Sequence, residues 1–200
     1  MVKVLSKIVS GILSPFIIPT YIYITLIFSS YLAMLPASSI LIFLGIIAFF
    51  TALVPSISIA WNRQNIEKYS NNRSLYPYFI TGICYMFLAY IFIKTGLPLW
   101  FTSFLFSGIV LLIMLAILKK SFKVSVHMTA YGAYLGAIFA IAKFQGNIPI
   151  DIISMVILLG GILGSSRAYL KDYTPGSIIT GAVLGFVWSY YMAIFIKILF

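Results

Sequence analysis

The sequence predicts an all-α fold, a polytopic membrane helix bundle of six to seven transmembrane helices. Of its 200 residues, 62% are hydrophobic and 8% are charged, and the mean hydropathy is +1.12. A soluble domain of this length cannot bury so much apolar surface. Apolar runs of about 20 residues recur along the chain with short connections between them. We therefore expect one integral membrane domain covering residues 1–200.

The predicted elements begin with an interfacial helix over residues 1–14, where lysines and serines share one helical face and aliphatic residues the other. Pro15 and Pro19 separate this helix from the first span. Pro55 is expected to kink the second span. The predicted spans are, in order, 17–34, 38–61, 77–93, 99–118, 125–142, 150–164 and 175–199.

Three polar connections, residues 62–76, 119–124 and 165–174, hold most of the basic side chains. Because two predicted spans separate each connection from the next, all three are expected at the same membrane face. The excess of lysine and arginine there predicts a cytoplasmic orientation.

The net charge of +10 is an argument for lipid headgroups as partners and against nucleic acid. In this chain the basic residues flank apolar spans, where they anchor to lipid phosphates. The single cysteine, Cys84, lies within an apolar run, so an intramolecular disulfide is excluded and a buried, inert thiol is expected. No metal or other cofactor is expected.

Two glycine pairs predict close helix packing. Gly132 and Gly136 lie four residues apart in the fifth predicted span, and Gly181 and Gly185 repeat this spacing in the seventh. Such pairs give a helix a flat strip that lets a neighbouring backbone approach. The helices that follow the second and third polar connections are therefore expected to form a tight pair.

The second polar connection brings Lys123, Ser125 and His127 to the start of a span. Ser125 can cap the helix or donate a hydrogen bond to an anion at its positive end. His127 can bond a backbone carbonyl at the interface, or it can serve as a general acid or a donor to a phosphate oxygen. The residues alone leave both alternatives open.

Arginine and lysine in the other two connections can bind lipid headgroups or form a phosphate site. Arg167 has the planar fork that suits bidentate phosphate recognition, and Lys68 and Arg73 can clamp a phosphate from the first connection. Taken one at a time, each is also an ordinary headgroup anchor.

The combination resembles the type 2 phosphatidic acid phosphatase superfamily, which includes the vanadium haloperoxidases, and in particular a small Bacteroidetes-type membrane branch. Residues 124–127, Val-Ser-Val-His, resemble its Pro-Ser-Gly-His second motif. Residues 166–170 resemble the start of its third motif, and Thr174, Pro175 and Gly181 continue the register. The resemblance implies a phosphate pocket in a bacterial inner membrane, formed by residues from the three connections: Ser125, His127, Arg167, Arg73, Lys68 and Lys123.

The resemblance also implies where catalysis has been lost. Tyr173 occupies the position of the family's nucleophilic histidine, and Ser177 that of its supporting aspartate. The family mechanism forms a phosphohistidine, so we expect a degenerate protein that binds a lipid or isoprenoid phosphate and is not a competent phosphatase. Two alternatives stay open: a non-catalytic accessory subunit of a larger membrane complex, and a phosphatase with an altered mechanism at His127 and Tyr173.

Overall fold

The computed structural model describes residues 2–61, 75–118, 124–145, 148, 150–170 and 173–199, and this part of the chain is helical without strands. The predicted all-α fold is confirmed. A short 3-10 turn, Tyr31–Met34, follows the second helix. The helices in chain order are α1 Val2–Ile12, α2 Ile18–Phe28, α3 Ala37–Trp61, α4 Tyr76–Lys94, α5 Leu99–Leu118, α6 Val126–Gln145, α7 Ile150–Tyr169 and α8 Pro175–Leu199.

Five of the described helices, α3, α4, α5, α7 and α8, are long and apolar enough to cross a membrane. Helix α6 has 20 residues but is more polar, and neighbouring helices cover much of it. A helix covered by protein does not have to match lipid on every face. Helix α2 is apolar but has 11 residues. The predicted count of six to seven spans therefore depends on α6 and α2 and stays a prediction.

The segment predicted as the first span, 17–34, is divided into the short helix α2 and the 3-10 turn Tyr31–Met34. Pro19 occupies the first helical turn, where its missing N–H costs nothing. After Phe28 the chain turns at Ser30, whose side chain accepts a hydrogen bond from the Leu32 amide (3.2 Å). At 1.5 Å per residue, α2 rises about 16 Å, roughly half of a hydrocarbon core about 30 Å thick.

Pro55 disturbs α3 through a change of helix type. The segment Phe49–Leu53 is π-helical, and the helix continues from Val54 to Trp61. Proline has no N–H to donate to the carbonyl four residues earlier, here Thr51, and a wider turn accommodates the loss. The irregularity predicted at Pro55 therefore lies in the turn that precedes it.

The serines of α1 face protein. Ser6 and Ser10, expected on the polar face of an interfacial helix, are buried, and α1 packs along α7. Lys3 and Lys7 are exposed, as are Leu5 and several other aliphatic side chains. Small serine side chains let the two helices approach closely.

The predicted tight pair is confirmed by α6 and α8. A Cβ built on Gly132 would overlap the carbonyl oxygen of Ala182, and one built on Gly185 would overlap that of Thr129. Gly136 makes an equally close approach to the α8 backbone. These contacts join backbone to backbone, so only glycine fits at each position.

The two glycine-paired helices run parallel. Ser125, just before α6, contacts Gly181 near the start of α8, whereas Gly136 contacts Phe186 farther along. The residue numbers of contacting pairs therefore increase together along the two helices, as they do in a parallel pair. Consequently the starts of α6 and α8 lie at one end of the bundle, which we call the polar end.

Helix α7 runs antiparallel to these two helices, packs against both, and ends at the polar end. The Tyr131 ring packs against Gly160, and its hydroxyl donates to the Val156 carbonyl (2.7 Å). A Cβ on Gly164 would contact both Met128 and Ile178, near the starts of α6 and α8. These contacts place the last turns of α7 against the first turns of both α6 and α8.

Helix α7 continues past the predicted span end at 164 and reaches Tyr169. Ser165 and Ser166 donate their hydroxyls to carbonyls of the preceding turn, at Gly161 (2.8 Å) and Leu163 (2.7 Å). Serines that bond inside a helix do not terminate it. Arg167, predicted in a loop, therefore lies in the last helical turn.

Candidate functional site

Ser125 is a buried polar residue at the polar end. It immediately precedes α6, is fully buried, and donates its backbone N–H to the Ser177 carbonyl of α8 (3.3 Å). Its hydroxyl has no hydrogen-bond partner among the described residues, so it does not cap α6. A buried hydroxyl without a partner costs free energy, which an acceptor entering the site would recover.

Arg167 and Tyr173 are in direct contact. The Arg167 guanidinium carbon lies 5.2 Å from the centroid of the Tyr173 ring, a cation–π arrangement. Both side chains are half-buried, and Tyr173 also packs against the apolar cluster that contains Met128 and Ile178. A guanidinium beside an aromatic face is attracted by the negative face of the ring.

His127 is half-buried in the first turn of α6. Its helix position puts it at the polar end together with Ser125, which it follows by two residues. Residues two apart do not share a helical face. The structure therefore places Ser125 against α8 and Arg167 against Tyr173. His127 lies at the same end of the bundle because it is in the first turn of α6.

The predicted residues of the first connection, Lys68 and Arg73, lie outside the described residues, and so does Lys123. The start of α4 is described. There Pro77 and Tyr78 line the same cavity as Val126 at the start of α6. The helix that follows the first connection therefore begins at the polar end as well.

The described part of the polar end is electropositive. Helices α6 and α8 both begin here, and a helix N-terminus carries roughly half a positive charge. Arg167 adds a full charge at the end of α7. Among the described residues the only acidic side chain is that of Asp151. It lies in the first turn of α7, at the end of the bundle opposite the polar end. This arrangement favours an anion.

A cavity of about 260 Å³ lies beside these residues, between α2, α4, α5, α6 and α8. Its wall is mostly apolar and includes Pro77 and Tyr78 of α4 and Val126 of α6. Sequence reasoning missed this cavity because apolar spans carry no mark of which side chains face a void. The small residues in its wall were the available signal: Ser107, Gly108, Ala130 and Ala133.

No metal centre is apparent in the described ranges. These ranges contain no group of three or more histidine, cysteine, aspartate or glutamate side chains that could hold an ion. The site chemistry is therefore that of hydroxyl, guanidinium, imidazole and helix N-termini.

Comparison of the chain with protein-family models, with curated proteins and with solved structures finds no match. The functional conclusion therefore depends on the residues and contacts described above.

Proposed function

We propose that this chain is a multi-pass protein of a bacterial inner membrane that binds the phosphate group of a lipid or isoprenoid without hydrolysing it. The observation that carries the proposal is the hydroxyl of Ser125. It is buried and lacks a hydrogen-bond partner among the described residues, at the point where two parallel helices begin. An anionic oxygen is the acceptor that this environment favours.

Arg167 supports the same ligand. Its guanidinium is oriented by Tyr173 at the electropositive end, and arginine binds phosphate through two parallel N–H groups. His127 is a further donor on the first turn of α6. Lys68, Arg73 and Lys123 are proposed to complete the charge around the phosphate, as the resemblance to the lipid phosphatase superfamily implies.

The absence of hydrolysis is proposed from the nucleophile position. The superfamily mechanism uses one histidine to attack phosphorus and another to protonate the leaving oxygen, whereas this chain contains a single histidine. A hydroxyl nucleophile needs an adjacent general base. Tyr173, at the nucleophile position, is instead in contact with the cation Arg167. Descent from that superfamily with loss of catalysis would account for the single histidine and for the tyrosine at the nucleophile position.

We expect Ser125→Ala to weaken phosphatidate binding roughly tenfold, since a hydrogen bond to a charged group contributes about 1.5–3 kcal/mol. Affinity is measured by titrating the purified protein in nanodiscs with phosphatidate and with diacylglycerol of the same chains. Ser56→Ala, at an exposed position of α3, is the matched control and should bind as the unaltered protein does. Equal affinity for the two lipids would exclude a phosphate site.

We also expect the purified protein to release no inorganic phosphate from phosphatidate, phosphatidylglycerol phosphate or undecaprenyl pyrophosphate. The measurement is a colorimetric phosphate assay over many hours, with His127→Ala as the control for contaminating enzymes. Release that His127→Ala abolishes would establish the alternative of an active phosphatase with an altered mechanism.

A second candidate function is that of an accessory subunit of a membrane complex. The observation that favours it lies on α8, where the buried indole N–H of Trp188 has no hydrogen-bond partner among the described residues. Beside it the helix exposes an apolar stripe: Ile179, Val183, Val187, Tyr191 and Phe195. A stoichiometric membrane-protein partner after mild solubilisation, together with loss of phosphate selectivity, would favour this role.

A further inference from the structure

We infer that the cavity beside Ser125 holds the hydrocarbon chain of the same lipid whose phosphate the polar end binds, an inference that rests on the proposed function. The ligand class is accordingly an amphiphile with an anionic phosphate head and at least one acyl or prenyl chain inserted between the helices.

The cavity wall suits a hydrocarbon better than water. A volume of about 260 Å³ is enough for several water molecules at roughly 30 Å³ each. Each water needs two to four polar partners. The hydroxyls of Tyr23 and Thr81 in the wall already donate within the protein, to the carbonyls of Phe101 (3.2 Å) and Pro77 (2.7 Å). An apolar chain matches a wall whose surface is mostly apolar.

The cavity wall begins one residue from Ser125. Val126, which follows Ser125 directly, is in its wall, and Ala130 and Ala133 extend the same wall along α6. Seven residues of helix cover about 10 Å, so the space extends at least that far from the phosphate site. Pro77 and Tyr78, at the start of α4, are in the wall as well. The wall therefore includes the starts of two helices at the polar end, and we infer that a chain whose head lies at Ser125 extends along it.

The dimensions favour a thin occupant. A helix with its side chains is about 10 Å across, whereas the cavity has a volume of about 260 Å³ and is lined by five helices. A lipid chain is thinner and surrounds a membrane protein on all sides. The occupant that both the size and the surroundings favour is one hydrocarbon chain.

Photolabelling tests this inference. The probes are dodecyl phosphate and dodecanol carrying a diazirine near the chain end, and labelled residues are located by peptide mass spectrometry on the purified full-length protein. We expect dodecyl phosphate to label the walls contributed by α5 and α6. Ser107→Leu, which places a larger side chain in the cavity, should reduce that labelling at least tenfold. Ser56→Leu, on the exposed face of α3, should leave it unchanged.

Two results separate the cavity from the phosphate site. Dodecyl phosphate that is selected over dodecanol but labels residues outside the cavity would overturn the chain site and leave the proposed function standing. Equal labelling of the cavity by dodecanol would overturn the proposed function and support the chain site. Ala133→Leu, from a different wall, is measured in parallel with the thermal unfolding of each variant, so that misfolding of Ser107→Leu is recognised. Undiminished cavity labelling in both folded variants would contradict the inference.

Discussion

Replacement of Gly185 by leucine is expected to prevent the native helix bundle from forming. A side chain at this position would overlap the Thr129 carbonyl oxygen and lie 2.8 Å from the Ala133 amide nitrogen. Both atoms belong to the α6 backbone, which cannot rotate away as a flexible side chain can. Overpacking a core usually costs about 1–3 kcal/mol, and forcing two backbones apart should exceed that range.

The expected effect is measured as loss of monodisperse protein in size-exclusion chromatography and as a fall in the free energy of unfolding during titration with a denaturing detergent. Gly45→Leu is the control, because a Cβ on Gly45 of α3 meets nothing within 4 Å. Its unfolding free energy should change by less than about 1 kcal/mol. Equal stability of the two variants would show that α6 and α8 do not pack through these glycines.

Arg167→Gln is expected to lower the affinity for phosphatidate by roughly 100-fold, because it removes a charge and the planar fork that binds two oxygens. Arg167→Lys retains the charge and loses the planar fork, so its affinity for phosphatidate should lie between those of the unaltered protein and Arg167→Gln. The measurement is the nanodisc titration described above, with diacylglycerol as the uncharged ligand. Diacylglycerol affinity should stay constant across the series.

Lys94→Gln is the matched control for this series. Lys94 also lies over a tyrosine ring, 5.8 Å from the centroid of Tyr90, but at the end of α4 opposite the polar end. Its loss removes the same charge from the protein and should leave phosphatidate affinity unchanged. If Lys94→Gln and Arg167→Gln weaken binding equally, the effect belongs to net charge and not to the polar end.

The sequence was sufficient for the features that depend on local spacing. The glycine pairs predicted the α6–α8 contact because a Gly-x-x-x-Gly strip has one packing use in a span. Parallel placement of their N-termini then followed from helix count alone, and it brings Ser125 to Ser177. The contact of Arg167 with Tyr173 is compatible with their grouping in one motif, but its geometry was not predictable.

Features that depend on three-dimensional packing were beyond sequence reasoning. Hydropathy predicts a span for any long apolar run, because it carries no information about where a turn forms. The helix in the first such run, α2, ends after 11 residues. The end of α7 was placed too early because serine hydroxyls that bond within the helix look like loop residues in a sequence. The cavity arises from five helices at once, and no single stretch of sequence encodes it.

The glycine contacts between α6 and α8 also determine which part of the polar end can adjust to a ligand. Where backbone packs directly on backbone there is no space for relative movement. We therefore expect α6, α8 and Ser125 to behave as one rigid unit. Helix α7, which carries Arg167, touches that unit through the Tyr131 ring at Gly160 and the Met128 side chain at Gly164. Side chains can change rotamer. We therefore expect α7, with Arg167, to adjust its position more readily than α6 and α8 do.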